Sequence, residues 1–196
     1  MTDKTAVTTH PILPLLAERW SPRAFTQAPV DPASLGSLFE AARWAPSASN
    51  LQPWGFVHAA KDSDAFARIV GALAPGNVIW AQHAPLLIVG VAELSKADGS
   101  PHLYGRYDLG QSVAHLSVQA AAMGLHLHQM AGFDAAKARD AIALPESHEP
   151  VVIIALGRRG DAAQLPPPFD ERERAPRTRK PRDSFVFDGV WASTQG

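Results

Sequence analysis

The longest apolar stretch of the chain is Ala84 to Ala92. A membrane-spanning helix needs about 20 apolar residues, so this run is far too short for one. It reads instead as a strand, Pro85 to Ala92, with the proline tolerated at its start. Three further runs read as strands: Trp54 to Ala60, Leu125 to Met130, and Pro150 to Leu156, the last rich in Val and Ile. Segments with helical spacing lie between them. Asp31-Pro32 opens a helix that places Leu35, Leu38, Phe39 and Ala42 toward a core. Residues 61–73 form another, with Phe66, Ile69, Val70 and Leu73 on one side, broken by Pro75-Gly76-Asn77. Tyr104 to Met123 is long, crowded with small residues and ended by Gly124, which suits a central helix or one at a subunit interface. Asp134 caps a helix ending near Leu144, and Thr8 or Thr9 caps a short one with Pro11 in its first turn, running to about Arg19.

These elements alternate without strict βαβ order. No Gly-x-Gly-x-x-Gly, Walker or Gly-x-Ser-x-Gly sequence is present, so Rossmann, P-loop and serine-hydrolase readings lack support. The 196 residues, 46% hydrophobic and 19% charged, suffice for one domain, 1–196, with a real core. After Gly157 the chain changes character. Residues 158–183 hold many arginines and prolines without apolar periodicity and read as an arm. Residues 184–191 are apolar again and need a surface, for which a neighbouring subunit is natural.

The formal charge of −1 gives no general pull toward nucleic acid or acidic lipid. The absence of cysteine removes disulfides, thiolate nucleophiles and iron–sulfur clusters, so redox work requires a borrowed organic cofactor. The N-terminus is polar, without the apolar core of a signal peptide, and the expectation is a cytoplasmic protein with no membrane association.

Arg19, Ser21 and Arg23 alternate along a segment that reads as extended, so period two puts them on one side. Arginine's planar fork suits a phosphate, and serine adds a neutral donor; solvated arginines on a surface loop are the alternative. At Ala45-Pro46 a helix stops, small and polar residues follow, and Gln52-Pro53-Trp54 leads into a strand. Such a loop offers backbone donors, a hydroxyl and an amide beside an aromatic wall, which suits a flat heteroaromatic ring. An ordinary turn is the alternative. Residues 171–182 are arginine-rich, but acidic residues interleave and no aromatic platform accompanies them, so nucleic acid is not an expected partner. His126 and His128 share one face of a strand, where packing or substrate contact is a better account than metal.

Four ordered blocks make the chain resemble the FMN-dependent nitroreductase family: Arg19-x-Ser21-x-Arg23; Pro46-Ser47-Ala48-Ser49-Asn50-x-Gln52-Pro53-Trp54; Asp108-Leu-Gly110 through Gly124 to Ala131-Gly132-Phe133-Asp134; and residues 150–157 followed by Arg177-x-Arg179-Lys-Pro181. The resemblance implies an α+β fold with a mostly antiparallel sheet sandwiched by helices. It implies a homodimer whose C-terminal arm, 158–196, is exchanged between subunits, with non-covalent FMN at the interface. NADH or NADPH reduces the flavin, and a nitroaromatic, a quinone or a similar acceptor reoxidises it by ping-pong exchange. Arg19, Trp20 and Ser21 then hold the phosphate and ribityl chain, Arg23 lies near the pyrimidine edge, and Arg177 and Arg179 complete the phosphate contacts. Pro46, Ser47 and Ala48 form a wall from the other subunit, and Asn50 matches a flavin edge. The backbone of Gln129, Met130, Ala131 and Gly132 lies against the ring, and no side chain is catalytic. Some relatives carry a proline and an acidic residue where this chain has Gln129 and Ala131, which bears on substrate preference. Asp108 and Gln52 either touch the cofactor or fix local structure. A flavin-binding carrier without turnover and a reductive dehalogenase of the same fold are the alternatives. The second normally adds a substrate lid, for which Leu94 to His102 is short.

Overall fold

The computed structural model describes residues 3–96 and 98–191. Met1, Thr2, Ala97 and 192–196, which the expected domain, loop and arm include, lie outside the described residues. Strands β1 (Trp54–Ala60), β2 (Leu86–Glu93), β3 (His126–Met130) and β4 (His148–Gly157) form one sheet in the order β1-β2-β4-β3. Every pairing is antiparallel, as in Trp54↔Ala92, Leu86↔Leu156 and His126↔Gly157. All four strands fall where the apolar runs predicted them.

Both faces of the sheet are covered, and the side-chain period of two divides the core. Leu87, Val89 and Val91 of β2 join Ile153 and Ala155 of β4 on one side. There they meet Phe66 and Ile69 of α3 (Asp64–Ala72), Trp80 of α4 (Pro75–Ala81) and Ala138 of α6 (Ala135–Ala141). Leu86, Ile88, Ile154 and Leu156 face the other way. They pack on Leu38 and Ala42 of α2 (Pro32–Arg43) and on Leu109, Val113, Leu116 and Ala120 of α5 (Gly105–Ala122). Small residues let α5 approach closely, and the Ser112 hydroxyl donates to the Ala42 carbonyl at 2.9 Å. Asp31 caps α2 by accepting from the Ser34 amide, and Asp134 caps α6 by accepting from the Ala136 and Lys137 amides. Gly124 ends α5 at φ 67°, a left-handed conformation that glycine adopts without strain. No helix among the described residues is long and apolar enough to cross a membrane.

Three sequence expectations require correction. The first helix, α1, spans Pro14–Glu18, so Pro14 rather than Pro11 starts it and neither Thr8 nor Thr9 caps it. Pro75 does end the preceding pattern, but it also occupies the first turn of α4; a proline that stops one helix is favoured at the start of the next. Finally, residues 158–183 are not wholly an unpacked arm. Leu165 is buried, and α7 (Phe169–Arg174) carries a buried Glu173. A single buried side chain per turn leaves no apolar periodicity to detect.

Candidate functional site

The segment after α1 runs past the end of the sheet where β4 finishes. It is tied there by an isolated bridge, Phe25↔Arg159, and by hydrogen bonds from Thr26 N–H to the Arg158 carbonyl (2.9 Å) and from Gly160 N–H to the Ala24 carbonyl (2.8 Å). Glu173 of α7 reaches the same place. Its carboxylate, 4% exposed, accepts from the amides of Arg23 (2.9 and 3.0 Å) and Ala24 (3.2 Å). The C-terminal segment thereby sets the backbone of the Arg19–Arg23 stretch. Sequence reasoning missed Glu173, because in the run Glu-Arg-Glu-Arg it looks like one more solvated charge.

Arg19, Trp20, Ser21 and Arg23 line one open cavity of about 220 Å³, joined by Arg177 and Arg179 from the other end of the chain. Lys4 and Arg172 complete its cationic lining. Burial pushes the Arg19 guanidinium below its ordinary value, and Arg179 beside it adds to the push. Burial does the same to Arg23, where Arg172 adds and Glu173 opposes. It also lowers Arg177, reinforced by Arg19 and Arg179. Cations crowded this way repel one another, and an anion in their midst offsets that cost. Trp20 is buried, with the Lys4 ammonium and the Arg159 guanidinium over its ring at 5.0 and 5.1 Å from the centre. Part of Arg177 is engaged elsewhere: its Nη1 donates to the carbonyls of Lys4 (2.7 Å) and Ala17 (2.6 Å).

Strand β3 lies along the same sheet edge. His128 Nδ1 stands 3.0 Å from the Pro22 carbonyl, and the imidazole packs on Trp80 with ring centres 4.4 Å apart. Burial, then the Arg23 charge, pushes His128 down to about 4. His126 is lowered by burial and by Arg159 and Arg19. Both rings are neutral packing groups at neutral pH. Gln129, Ala131 and Gly132 are exposed while Met130 is buried. Gly132 has a local reason for lacking a side chain: a Cβ there would stand 2.8 Å from Asn77 Nδ2, which donates to the Gly132 carbonyl at 2.9 Å.

The Pro46–Asn50 loop lies off the opposite end of the sheet, ahead of Trp54. Ser49, Asn50 and Gln52 all have φ between 52° and 56°, a sparsely populated region for such residues. Several bonds hold this conformation. Asp108 of α5, 1% exposed, accepts from the Ala48 amide at 3.1 Å. Ser47 Oγ accepts from the Gln52 amide at 3.0 Å, and the Gln52 side-chain amide donates to the Asn50 carbonyl at 3.1 Å. Asp108 and Gln52 thus brace the loop. Ala48 and Ser49 border a cavity of about 210 Å³ with Leu51, His102 and Tyr104.

The two groups of residues are not together in one chain. β2 spans eight residues, roughly 26 Å, and three strand spacings of roughly 14 Å separate β1 from β3. The arginine cavity and the Pro46–Asn50 loop lie at opposite ends of that diagonal, and their linings share no residue.

The model of the nitroreductase family matches residues 16–158 of this chain. The chain belongs to the nitroreductase family. A solved structure described as an oxidoreductase containing FMN is 33% identical, with a TM-score of 0.91 over 98% of this chain and 100% of that one. A nitroreductase family protein of Clostridium difficile 630, 22% identical, shares the fold with a TM-score of 0.71 over 90% of this chain and 97% of its own. An uncharacterized 15.4 kDa protein of Mycolicibacterium smegmatis is 32% identical over 130 residues, covering 66% of this chain and 86% of that protein. A protein of Rhodopseudomonas palustris (strain TIE-1), named provisionally an NADH dehydrogenase/NAD(P)H nitroreductase, is 28% identical over 163 residues, covering 74% and 82%.

Proposed function

We propose that this nitroreductase is an FMN-dependent NAD(P)H oxidoreductase acting as a cytoplasmic homodimer, with residues 1–196 as one FMN-binding unit. The observation that carries the reading is the cavity where Arg19, Ser21, Arg23 and Arg179 converge from both ends of the chain. Its donors are mostly planar guanidiniums with a serine among them, and such a set fits a phosphate. The second observation is the diagonal separation of that cavity from the Pro46–Asn50 loop. A mononucleotide held by its phosphate at one end of the sheet cannot stack its ring on a loop at the other. A second copy supplies the missing wall, so the dimer carries two sites, each built from both chains.

In this reading Arg19, Ser21 and Arg179 grip the phosphate, with Trp20 packed behind them. Arg23 sets a positive charge near the pyrimidine edge, favouring negative charge there. The partner's loop supplies Pro46, Ser47 and Ala48 as a wall, and the Asn50 amide pairs with ring donors and acceptors. The backbone of Gln129, Met130, Ala131 and Gly132 offers peptide groups along the β3 edge. FMN held by these residues would supply the redox chemistry, ping-pong hydride exchange between NADH or NADPH and an acceptor such as a nitroaromatic or a quinone. The protein's part is position, charge and exclusion of water. Extension of the C-terminal arm onto the partner subunit suits the exposed Phe185, Val186, Val190 and Trp191, which otherwise leave apolar surface in water.

The test is a titration of the apo protein with FMN. Arg19→Ala is expected to weaken binding by roughly 10- to 100-fold, the worth of one charge-assisted bond. Arg68→Ala, whose Nε donates to the Ala141 carbonyl between α3 and α6, leaves it unchanged. A colourless protein that takes up no FMN overturns the reading.

A further inference from the structure

Residues 3–13 lie ahead of the matched family region, which begins at residue 16; the sequence reads as a polar N-terminus here, passing at Thr8 or Thr9 into a helix cap. The structure gives them a definite path. Ala6 N–H donates to the Ala17 carbonyl at 2.9 Å, and Arg177 Nη1 bridges the carbonyls of Lys4 and Ala17. The strap is therefore pinned between α1 and the C-terminal segment, and its lysine is delivered to a fixed place. Lys4 is only 7% exposed, rare for a lysine, and no carboxylate forms an ion pair with it among the described residues. Its ammonium donates to the Ala175 carbonyl and lies over the Trp20 ring. Both of those residues line the same cavity as Arg19, Ser21 and Arg179.

An ammonium carries three donor hydrogens, and the Ala175 carbonyl takes one. We infer that Lys4 is a further ligand of the anionic group bound in the arginine cavity, contributed by the N-terminal strap. The electrostatics agree. Burial lowers the lysine's affinity for its proton, the Glu173 carboxylate opposes this, and Arg159 and Arg177 lower it further. A phosphate placed between Lys4 and Arg19 adds negative charge to that of Glu173 and offsets the repulsion from Arg159 and Arg177. The inference rests on the proposed FMN site for the identity of the ligand. On that footing Lys4 recognises the phosphate and not the ring, so it separates FMN from riboflavin.

The experiment compares Lys4→Met, which keeps the aliphatic stem against Trp20, with Lys4→Arg and the unaltered protein. Apo protein is titrated with FMN and with riboflavin, followed by quenching of flavin fluorescence. Thermal unfolding is measured in parallel in inorganic phosphate and in sodium chloride of equal ionic strength. Lys4→Met is expected to bind FMN roughly 10- to 100-fold more weakly, with riboflavin affinity unchanged and stabilisation by phosphate reduced. Lys4→Arg should restore most of the preference. Equal weakening of both flavins marks Lys4 as a mere clasp on Ala175 and overturns the inference, as does unchanged FMN binding in Lys4→Met. If the unaltered protein binds neither flavin, the FMN reading fails by itself. The phosphate arm then decides Lys4 alone: a phosphate-specific stabilisation lost in Lys4→Met supports it, and its absence overturns it.

Discussion

Asp108 and His128 both lie inside the fold, yet they act on it in opposite senses. Asp108 is a buried carboxylate that accepts from the Ala48 amide, holding a loop whose backbone is otherwise strained. Replacing it by alanine leaves that N–H without its acceptor. We expect Asp108→Ala to cost about 1–3 kcal/mol in urea unfolding, with faster hydrogen exchange at Ala48, while Asp108→Asn retains an oxygen acceptor and costs less. His128 is a group the fold keeps neutral. Its ordinary value near 6.5 is pushed down to about 4 by burial and by Arg23. Above pH 6.5 the folded and unfolded chains both hold it neutral, and its contribution to stability is complete. As pH falls from about 6.5 toward 4, the unfolded chain takes up a proton that the folded chain refuses, so stability declines across that window. Unfolding free energies at pH 7.5 and pH 5 should therefore differ less for His128→Phe than for the unaltered protein. At this scale the histidine pair read as packing or substrate contact because no third metal ligand stands nearby in the sequence, but the acceptor role of Asp108 was not legible. A helix N-terminal aspartate looks the same whether it faces water or a loop 60 residues away.

The elements follow from local chemistry wherever a cap or a breaker is paired with periodic apolar residues. Asp31, Asp134 and Gly124 mark helix ends because each satisfies or releases backbone groups within its own turn. The strands were legible because β2 and β4 are covered on both faces and tolerate nothing polar in between. What local chemistry does not reveal is how near elements come to one another. Gly157 closes β4 beside the rigid ring of Pro85, and a Cβ there would stand 2.7 Å from Pro85 Cγ and Cδ and 3.1 Å from Phe25 Cδ1. None of these atoms can retreat, so Gly157→Ala is expected to destabilise by about 1–3 kcal/mol, read as a lower midpoint in thermal unfolding. Gly36, exposed on α2 with nothing within 4 Å of its notional Cβ, behaves oppositely. Gly36→Ala should stabilise by up to about 1 kcal/mol through helix propensity alone.

The arginine cavity and the Pro46–Asn50 loop stand at opposite ends of the sheet, and under the proposed reading that separation carries a test of assembly. If each site takes its arginines from one chain and its ring wall from the other, Arg19→Ala and Asn50→Ala damage different halves. Homodimers of either variant then carry two defective sites. In a mixed dimer both lesions fall in one site and leave the other intact. Co-expression of the two variants under separate affinity tags should give a heterodimer that binds one FMN with undiminished affinity. A heterodimer with both sites weakened, one by each substitution, would place Arg19 and Asn50 in the same half.

From the sequence alone one could read the four strands, the helix ends at Asp31, Asp134 and Gly124, the family resemblance and the gathering of Arg19, Ser21 and Arg23. Each of those depends on period, on a cap one turn away, or on an ordered motif, all of which are local along the chain. The tertiary structure alone decided that Glu173 anchors the Arg23 backbone, that Lys4 enters the arginine cavity, and that Arg177 partly serves to pin the strap. These contacts join residues some 150 to 173 positions apart. Such pairings depend on where the folded sheet delivers its two termini, and no neighbouring residue in the sequence carries a trace of that.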